Sequence, residues 1–271
     1  MRSAFYNLIN YINTAKVDDV YSNAAKTILE NINQIPELNI MDVAQMCFVS
    51  TATISRLCRK LNYDSFSDFK MDVTMNLHYF NHDAMRMQFD HQLPNLPIEG
   101  KSTKDLFVDH FENIIDNLRA TYDSLQFDKL EQLVDLIYQS NEICFAGNFF
   151  TQSVSMQLQI ELSYLGKKCT GMYPIQGQKD VVSSLKEGDL IIVSSIAGGY
   201  LKDQPDMFRK IVKSKAKKII ITQLDDFAYK DYFDMVIKVG TDHLSLIGKF
   251  SITYIFELLE ALYHLKYTKA K

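Results

Sequence analysis

Apolar residues recur along this chain with two different periods, and the change of period divides it. In the first third the spacing is helical throughout. Residues 4–13 place Phe5, Leu8, Ile9 and Ile12 on one face, and residues 18–33 repeat the pattern with Val20, Ala24, Ile28, Leu29 and Ile32. Pro36 is expected to stop that second helix. The stretch LNIMDVAQMCFVSTATISRLCRKLNYDSFSDFK then reads as helix, tight turn, helix, turn, helix. Val43, Ala44 and Cys47 make the inner stripe of the first of these. Ile54, Leu57, Cys58 and Leu61 recur at i, i+3, i+4 and i+7 in the next, which Ser50 or Thr51 can cap.

Helical spacing returns over 105–139, with Leu106, Phe107, His110, Phe111, Ile114, Ile115 and Leu118, then Leu130, Leu133, Val134, Ile137 and Tyr138. Beyond it the period shortens. Residues 142–147 (EICFAG), 168–173, 189–194 (DLIIVS), 218–222 (KIIIT) and 235–239 (MVIKV) predict five short strands. Helices at about 151–165, 177–186 and 203–215 separate them, and a long helix over 246–267 follows. Strands alternating with helices imply a parallel sheet covered on both faces. The ligand crevice of such a sheet opens at the carboxyl ends of the strands, here at the loops after the first and third. The predicted fold class is therefore two domains: an all-α helix-turn-helix bundle, then an α/β domain with a parallel sheet flanked by helices.

Glycine sharpens the boundary. All ten glycines lie at or after Gly100, so the first 99 residues use other residues wherever φ > 0 is needed. The segment QLPNLPIEGKS reads as a linker. The expected division is 1–80 for the helical domain, 81–104 for the linker and 105–271 for the α/β domain.

Composition narrows the class without choosing a function. At 47 % apolar and 23 % charged the chain is an ordinary globular protein, neither disordered nor fibrous. No stretch approaches the ~18 uninterrupted apolar residues of a membrane span, and MRSAFYNLINYINTAK lacks a signal-peptide core, so a cytoplasmic location without a membrane partner is expected. Cys47, Cys58, Cys144 and Cys169 form no Cys-x-x-Cys pair, which argues against disulfides and a zinc site. There is no glycine-rich dinucleotide motif, P-loop or Gly-x-Ser-x-Gly elbow, and no cofactor or metal is expected.

Candidate chemistry lies first on the outer face of the helix over 51–61, with Ser50, Thr51, Thr53, Ser55, Arg56, Arg59 and Lys60. Three cations and no acid occur between residues 50 and 60. Hydroxyls and the helix N-terminus suit phosphates, and arginines suit a phosphate or guanine edge held bidentately. This is what a recognition helix in the major groove presents; the competing reading is a solvated basic face. Through residue 80 the chain carries seven Lys/Arg and eight Asp/Glu, so non-specific affinity should be weak, and binding should rest on the local patch and on two copies.

The order of residues goes further. The string Val49-Ser50-x-Ala52-Thr53-Ile54-Ser55-Arg56, then Arg59-Lys60-Leu61, Phe66 and Phe69-Lys70, resembles the DNA-binding domain of the RpiR family of bacterial transcriptional regulators over about residues 1–77. The resemblance implies double-stranded DNA as partner. The family's turn usually carries glycine where this chain has Phe48, which must adopt αL at a steric cost or shift the turn. Residues 105–240 resemble the SIS (sugar isomerase) domain, the usual companion of that DNA-binding domain. The family's first loop reads Gly-x-Gly-x-Ser and its second Ser-x-Ser-Gly-x-Thr, and together they hold a sugar phosphate at a helix N-terminus.

Here those loops are Gly147-Asn148-Phe149-Phe150-Thr151 and Ser194-Ser195-Ile196-Ala197-Gly198-Gly199-Tyr200. The resemblance makes Gly147, Asn148, Thr151, Ser194, Ser195 and Gly198 candidate effector contacts. Phe149 stands at the second glycine, Thr151 at the serine, Ala197 at a serine and Tyr200 at the threonine. Each lost charge-assisted hydrogen bond costs about 1.5–3 kcal/mol, so affinity for a phosphosugar should fall unless other groups substitute. Lys167, Lys168 and Lys179 could supply charge or be simply solvated. Three versions stay open: an altered effector, a weakened phosphosugar site, or a domain kept for oligomerisation. An isomerase reading would need a general base, with Glu161 and His243 as candidates. The apolar last helix is either buried in its own domain or covered by a second copy in a homodimer or higher oligomer. The expectation is a transcriptional regulator of sugar metabolism, modulated by a sugar phosphate or related effector, and not an enzyme.

Overall fold

The computed structural model of the protein describes residues 4–79, 102–171, 175–241 and 247–268. The chain forms two compact units, residues 1–87 and 88–271.

In the first unit, α1 (Ala4–Thr14) and α2 (Val20–Glu30) pack together, and α3 (Ile40–Met46), α4 (Thr51–Lys60) and α5 (Phe66–Tyr79) complete the bundle. Asp19 caps α2 through the Ser22 N–H, and Asn39 with Asp42 forms a capping box on α3. The second helix ends earlier than Pro36 dictates. It stops at Glu30, where the Asn31 N–H folds back on the last carbonyls, and Pro36 sits inside a 3-10 turn over Ile32–Glu37. That turn drives Ile35 fully into the core. The buried face of α2 is Ser22, Ala24, Ala25 and Ile28, while Val20 is exposed.

The core joins Leu8, Ile28, Val43, Ile54, Leu57, Phe69 and Val73. A buried polar chain runs through it. Asn7 Nδ2 donates to the Leu61 carbonyl and to Tyr63 Oη, and the Tyr63 hydroxyl donates to Asp72 Oδ2 at 2.5 Å. Such a chain fixes the angle of α5 against α1, because a slipped register would strand buried polar groups.

The second unit opens with α6 (Thr103–Ser124), capped by Ser102 with Asp105, and α7 (Phe127–Gln139). Then come β1 (Glu142–Gly147), α8 (Phe149–Tyr164), β2 (Lys168–Thr170), α9 (Ile175–Ser184), β3 (Leu190–Ser194), α10 (Gly199–Asp203), α11 (Pro205–Lys213), β4 (Lys217–Thr222), β5 (Met235–Lys238) and α12 (Gly248–Tyr267). The sheet is parallel throughout, in the order β2-β1-β3-β4-β5. The helix predicted at about 203–215 is α11, which Pro205 opens, and the short α10 before it is not predicted.

Both sheet faces are apolar, as a covered parallel sheet requires. Phe145, Ile192 and Ile219 point to one side, among residues of α7, α8 and α12, while Cys144, Ala146, Ile191, Val193 and Ile220 point to the other, among Val182, Met207 and Ile211. The apolar stripe expected on α6 is displaced. Phe107 and Phe111 are exposed, and the fully buried positions are polar, Asn117 and Thr121. Asn117 Nδ2 and Thr121 Oγ1 both donate to Ser251 Oγ on α12, and Thr121 Oγ1 accepts from the Gly240 N–H after β5. The α6 interior face therefore answers to the open backbone at the strand ends, a demand that hydrophobic periodicity does not register. The face of α12 carrying Ser251, Ile252, Ile255, Phe256, Leu259 and Tyr263 is buried within its own unit.

Candidate functional site

Two places bring chemistry together. In the first unit α3, a turn and α4 make a helix-turn-helix. The turn closes through the Phe48 N–H on the Gln45 carbonyl and the Val49 N–H on the Ala44 carbonyl. Phe48 takes φ +53°, the left-handed conformation expected of glycine there, and its ring is 96 % exposed. The chain thus accepts the backbone strain and gains no burial from the ring.

Ser50, not Thr51, caps α4. Its Oγ accepts from the Thr53 N–H at 3.1 Å and lies 2.9 Å from Thr53 Oγ1. Ile54, Leu57, Cys58 and Leu61 are buried, so the opposite face is solvent-facing. Thr51, Arg56, Arg59 and Lys60 are exposed, and Thr53 and Ser55 are half-buried. Arg56 and Arg59 make no ion pair or hydrogen bond among the described residues. Lys60 is different. Its Nζ lies 5.0 Å from the Tyr21 ring centroid and 6.0 Å from that of Tyr11, so its charge is drawn back over the α1–α2 side.

The second place is the switch point of the sheet. β1 and β3 are neighbours whose connections leave in opposite directions, since β2 lies outside β1 and β4 outside β3. Gly147 and Ser194, the last residues of the two strands, are register partners. From there α8 begins after Asn148, which makes no side-chain capping bond, so the first N–H groups of a 16-residue helix are left without a side-chain cap. Gly198 precedes α10 with φ +76°. A Cβ on Gly147 would lie 2.9 Å from the Ser194 carbonyl and collide with Thr151 Oγ1, so only glycine fits.

Two of the loop hydroxyls, those of Thr151 and Tyr200, are committed. Thr151 Oγ1 donates to the Asn148 carbonyl at 2.9 Å. Tyr200, at the place of the family threonine, is buried, and its hydroxyl donates to Gln178 Oε1 at 2.6 Å. Burial, with the Cys144 thiol beside it, holds that phenol well above the usual tyrosine range. Gln178 Oε1 also accepts from the Gly147 N–H, and its Nε2 donates to the Gly147 carbonyl. Ser194 is buried, and Ser195 is buried with an Oγ that has no hydrogen-bond partner among the described residues. Ser195 thus holds a buried hydroxyl in reserve. The backbone of Phe149 begins α8; its side chain and His243 lie outside the described residues.

The remaining candidates sit elsewhere. Lys167 Nζ donates to the Tyr138 and Ser140 carbonyls at the end of α7, and burial pulls its pKa down. Lys168 pairs with Glu142, and both open their strands, at the sheet end opposite the crevice. Lys179 lies 3.8 Å from Asp206 across the α9–α11 groove. Glu161 is ten residues beyond Thr151 on α8, about 15 Å along the helix, too far to act as base at the crevice. Sequence reasoning missed Gln178. The available signal was an amide one turn before Val182 on the inward face of α9.

A helix-turn-helix domain and a doubly wound α/β domain with a helix N-terminus at its switch point are thus carried on one chain. Residues 7–78 match the family described as "Helix-turn-helix domain, rpiR family", and the first unit is a helix-turn-helix domain of that family. The HTH-type transcriptional regulator HexR of Pseudomonas aeruginosa is 24 % identical over 174 residues, covering 64 % of this chain and 58 % of HexR. The chain spans between 30 % and 58 % of the length of the first curated relatives it matches. Among solved structures, the NanR protein of Vibrio vulnificus complexed with ManNAc-6P superposes with TM-score 0.54 at 18 % identity, covering 98 % of this chain and 93 % of NanR. The sugar isomerase domain of an RpiR transcription factor from Sphaerobacter thermophilus superposes with TM-score 0.50 at 23 % identity, covering 60 % of this chain and 91 % of that domain. The second unit therefore has the SIS-type fold. No helix among the described residues is long and apolar enough to cross a membrane.

Proposed function

We propose that this chain is a cytoplasmic DNA-binding transcriptional regulator of sugar metabolism and not an enzyme. Its α4 enters the major groove, and two copies read paired half-sites. The observation that carries the reading is the outer face of α4. Arg56 and Arg59 are exposed and unpaired beside a Ser50-capped N-terminus, on the second helix of a helix-turn-helix. Arg56, Arg59, Thr51, Thr53 and Ser55 are the proposed contacts, with Ser50 holding the helix start. Lys60 contributes charge at the flank.

The second unit is proposed to take a phosphorylated sugar at the switch point. The open N-terminus of α8 receives the anion, and the free Ser195 hydroxyl completes its hydrogen bonds. Gly147, Asn148, Thr151, Ser194 and Gly198 shape the loops around it. Because HexR is a transcriptional regulator and the NanR structure carries ManNAc-6P, that hexosamine phosphate is the first probe.

The test is a fluorescence-anisotropy titration of the full chain on duplexes enriched from a random-sequence pool, with one or two half-sites, with and without ManNAc-6P. Tighter binding to two half-sites than to one and a ManNAc-6P-dependent change of affinity support the reading. Failure to enrich any sequence refutes the DNA-binding part. Identical affinities with and without a panel of sugar phosphates refute the sensing part, and turnover of ribose 5-phosphate or glucosamine 6-phosphate overturns the non-enzymic assignment.

A further inference from the structure

We infer that Glu161, Glu260 and His264 form a binding site for one divalent transition-metal ion, clamping α8 to α12. One ligand atom from each of the three lies within 4.8 Å of the others, and all three side chains are half-buried. Glu260 and His264 stand one turn apart on α12, a spacing that puts both on one helix face, and Glu161 reaches them from the packed neighbour α8. The site is separate from the crevice, since Glu161 lies about 15 Å along α8 from Thr151.

Three features make this a ligand set and not a solvated cluster. First, neither carboxylate has a cation at salt-bridge distance or a hydrogen bond among the described residues. Two facing carboxylates without a Lys or Arg partner repel each other, and a divalent cation between them would remove that repulsion. Second, the imidazole ring is oriented from outside the cluster. His264 Nδ1 lies 3.1 Å from Thr268 Oγ1, which also donates to the His264 carbonyl at 2.8 Å. A hydrogen bond on one ring nitrogen orients a ligating histidine and leaves the other nitrogen for the metal. Third, the geometry needs little change. Metal–ligand bonds of about 2.0–2.2 Å in a tetrahedral site set ligand atoms about 3.4 Å apart, so atoms within 4.8 Å of one another close by at most about 1.4 Å.

One nitrogen and two carboxylate oxygens, with positions left for water, suit zinc and similar borderline ions better than magnesium or calcium, which prefer oxygen alone. Thiolates take no part.

The experiment uses the full chain, freed of metal with EDTA and titrated with Zn2+ against a chromophoric chelator, then with Co2+ followed by visible absorption. The site predicts one ion per chain and a Co2+ spectrum without a thiolate charge-transfer band. Glu161→Gln and His264→Gln should each weaken binding by at least about tenfold. Zn2+ should raise the melting temperature of the parent chain by several degrees and leave both variants unmoved. In EDTA, Glu161→Gln should melt at or above the parent, because it removes carboxylate repulsion; this also shows that the variant folds. No binding at micromolar Zn2+, a thiolate band, or unchanged affinity in both variants overturns the site. None of these readouts depends on DNA or sugar binding.

Discussion

The Gln178 carboxamide stands where a strand would otherwise continue, and substituting it tests that reading directly. β2 pairs with β1 only over Glu142–Cys144, so Gly147 projects its N–H and carbonyl beyond the end of that ladder. Gln178, 4 % exposed, accepts from the Gly147 N–H at 3.2 Å, donates to the Gly147 carbonyl at 3.1 Å and takes the Tyr200 hydroxyl at 2.6 Å. Gln178→Leu keeps the volume and strands three buried polar groups. At about 1–3 kcal/mol for each buried group left unsatisfied, and with some relaxation, the loss should be about 3–6 kcal/mol. Tyr200→Phe removes one hydroxyl and leaves Gln178 bonded to Gly147, a loss of about 0.5–1.5 kcal/mol. The double variant should be less destabilised than the sum by about 1–2 kcal/mol, because the stranded hydroxyl has gone. Scanning calorimetry of the second unit's transition reads these losses as shifts of roughly 2–4 °C per kcal/mol. A Gln178→Leu transition within about a degree of the parent, or strictly additive losses, would refute the reasoning. The same pair has a pH signature. The Tyr200 phenol is raised in the folded state, so its contribution is complete below the ordinary tyrosine pKa of about 10 and fades as pH rises beyond it. Above that pH the parent should lose stability faster than Tyr200→Phe.

Two further outcomes follow from single residues. Phe48→Gly should stabilise the first unit by about 0.5–1 kcal/mol, since relief of about 1–2 kcal/mol of left-handed strain exceeds the entropy glycine adds to the unfolded chain. A lower melting temperature would show that the exposed ring has a contact in the folded protein after all. The thiols should be inert at pH 8. Burial pushes Cys58 and Cys144 up to about 12 and Cys47 and Cys169 up to about 11, so iodoacetamide labelling followed by mass spectrometry should be at least about a hundredfold slower than in denaturant. Any cysteine labelled at its denatured rate contradicts that environment.

Much of the fold was legible because burial follows period. The stripe Ile54, Leu57, Cys58, Leu61 is the buried face of α4, and EICFAG and DLIIVS are the two central strands, β1 and β3. For Phe48 the family resemblance leaves two outcomes open, a left-handed residue or an adjusted turn, and the structure takes the first, with φ +53°. What escaped is polar and tertiary. Asn117, Thr121 and Gln178 are buried because open backbone at the strand ends needs partners, and no periodicity marks such a need. Tyr200 reads as a lost ligand hydroxyl; in the structure it is spent on the scaffold that holds Gly147. A search for Cys-x-x-Cys and His-x-x-x-His does not find Glu161, Glu260 and His264, because the set is split between helices about a hundred residues apart in sequence.

The most direct test of the regulator itself is the affinity of the full chain for its enriched duplex, compared among the parent, Arg56→Ala and Arg59→Ala. Each bidentate contact is worth about 1–3 kcal/mol, so each variant should bind about tenfold to a hundredfold more weakly with an unchanged melting temperature. The slope of log K against log salt should match only a few phosphates per chain. Parent affinity retained by both variants would mean that α4 is not the helix that reads DNA.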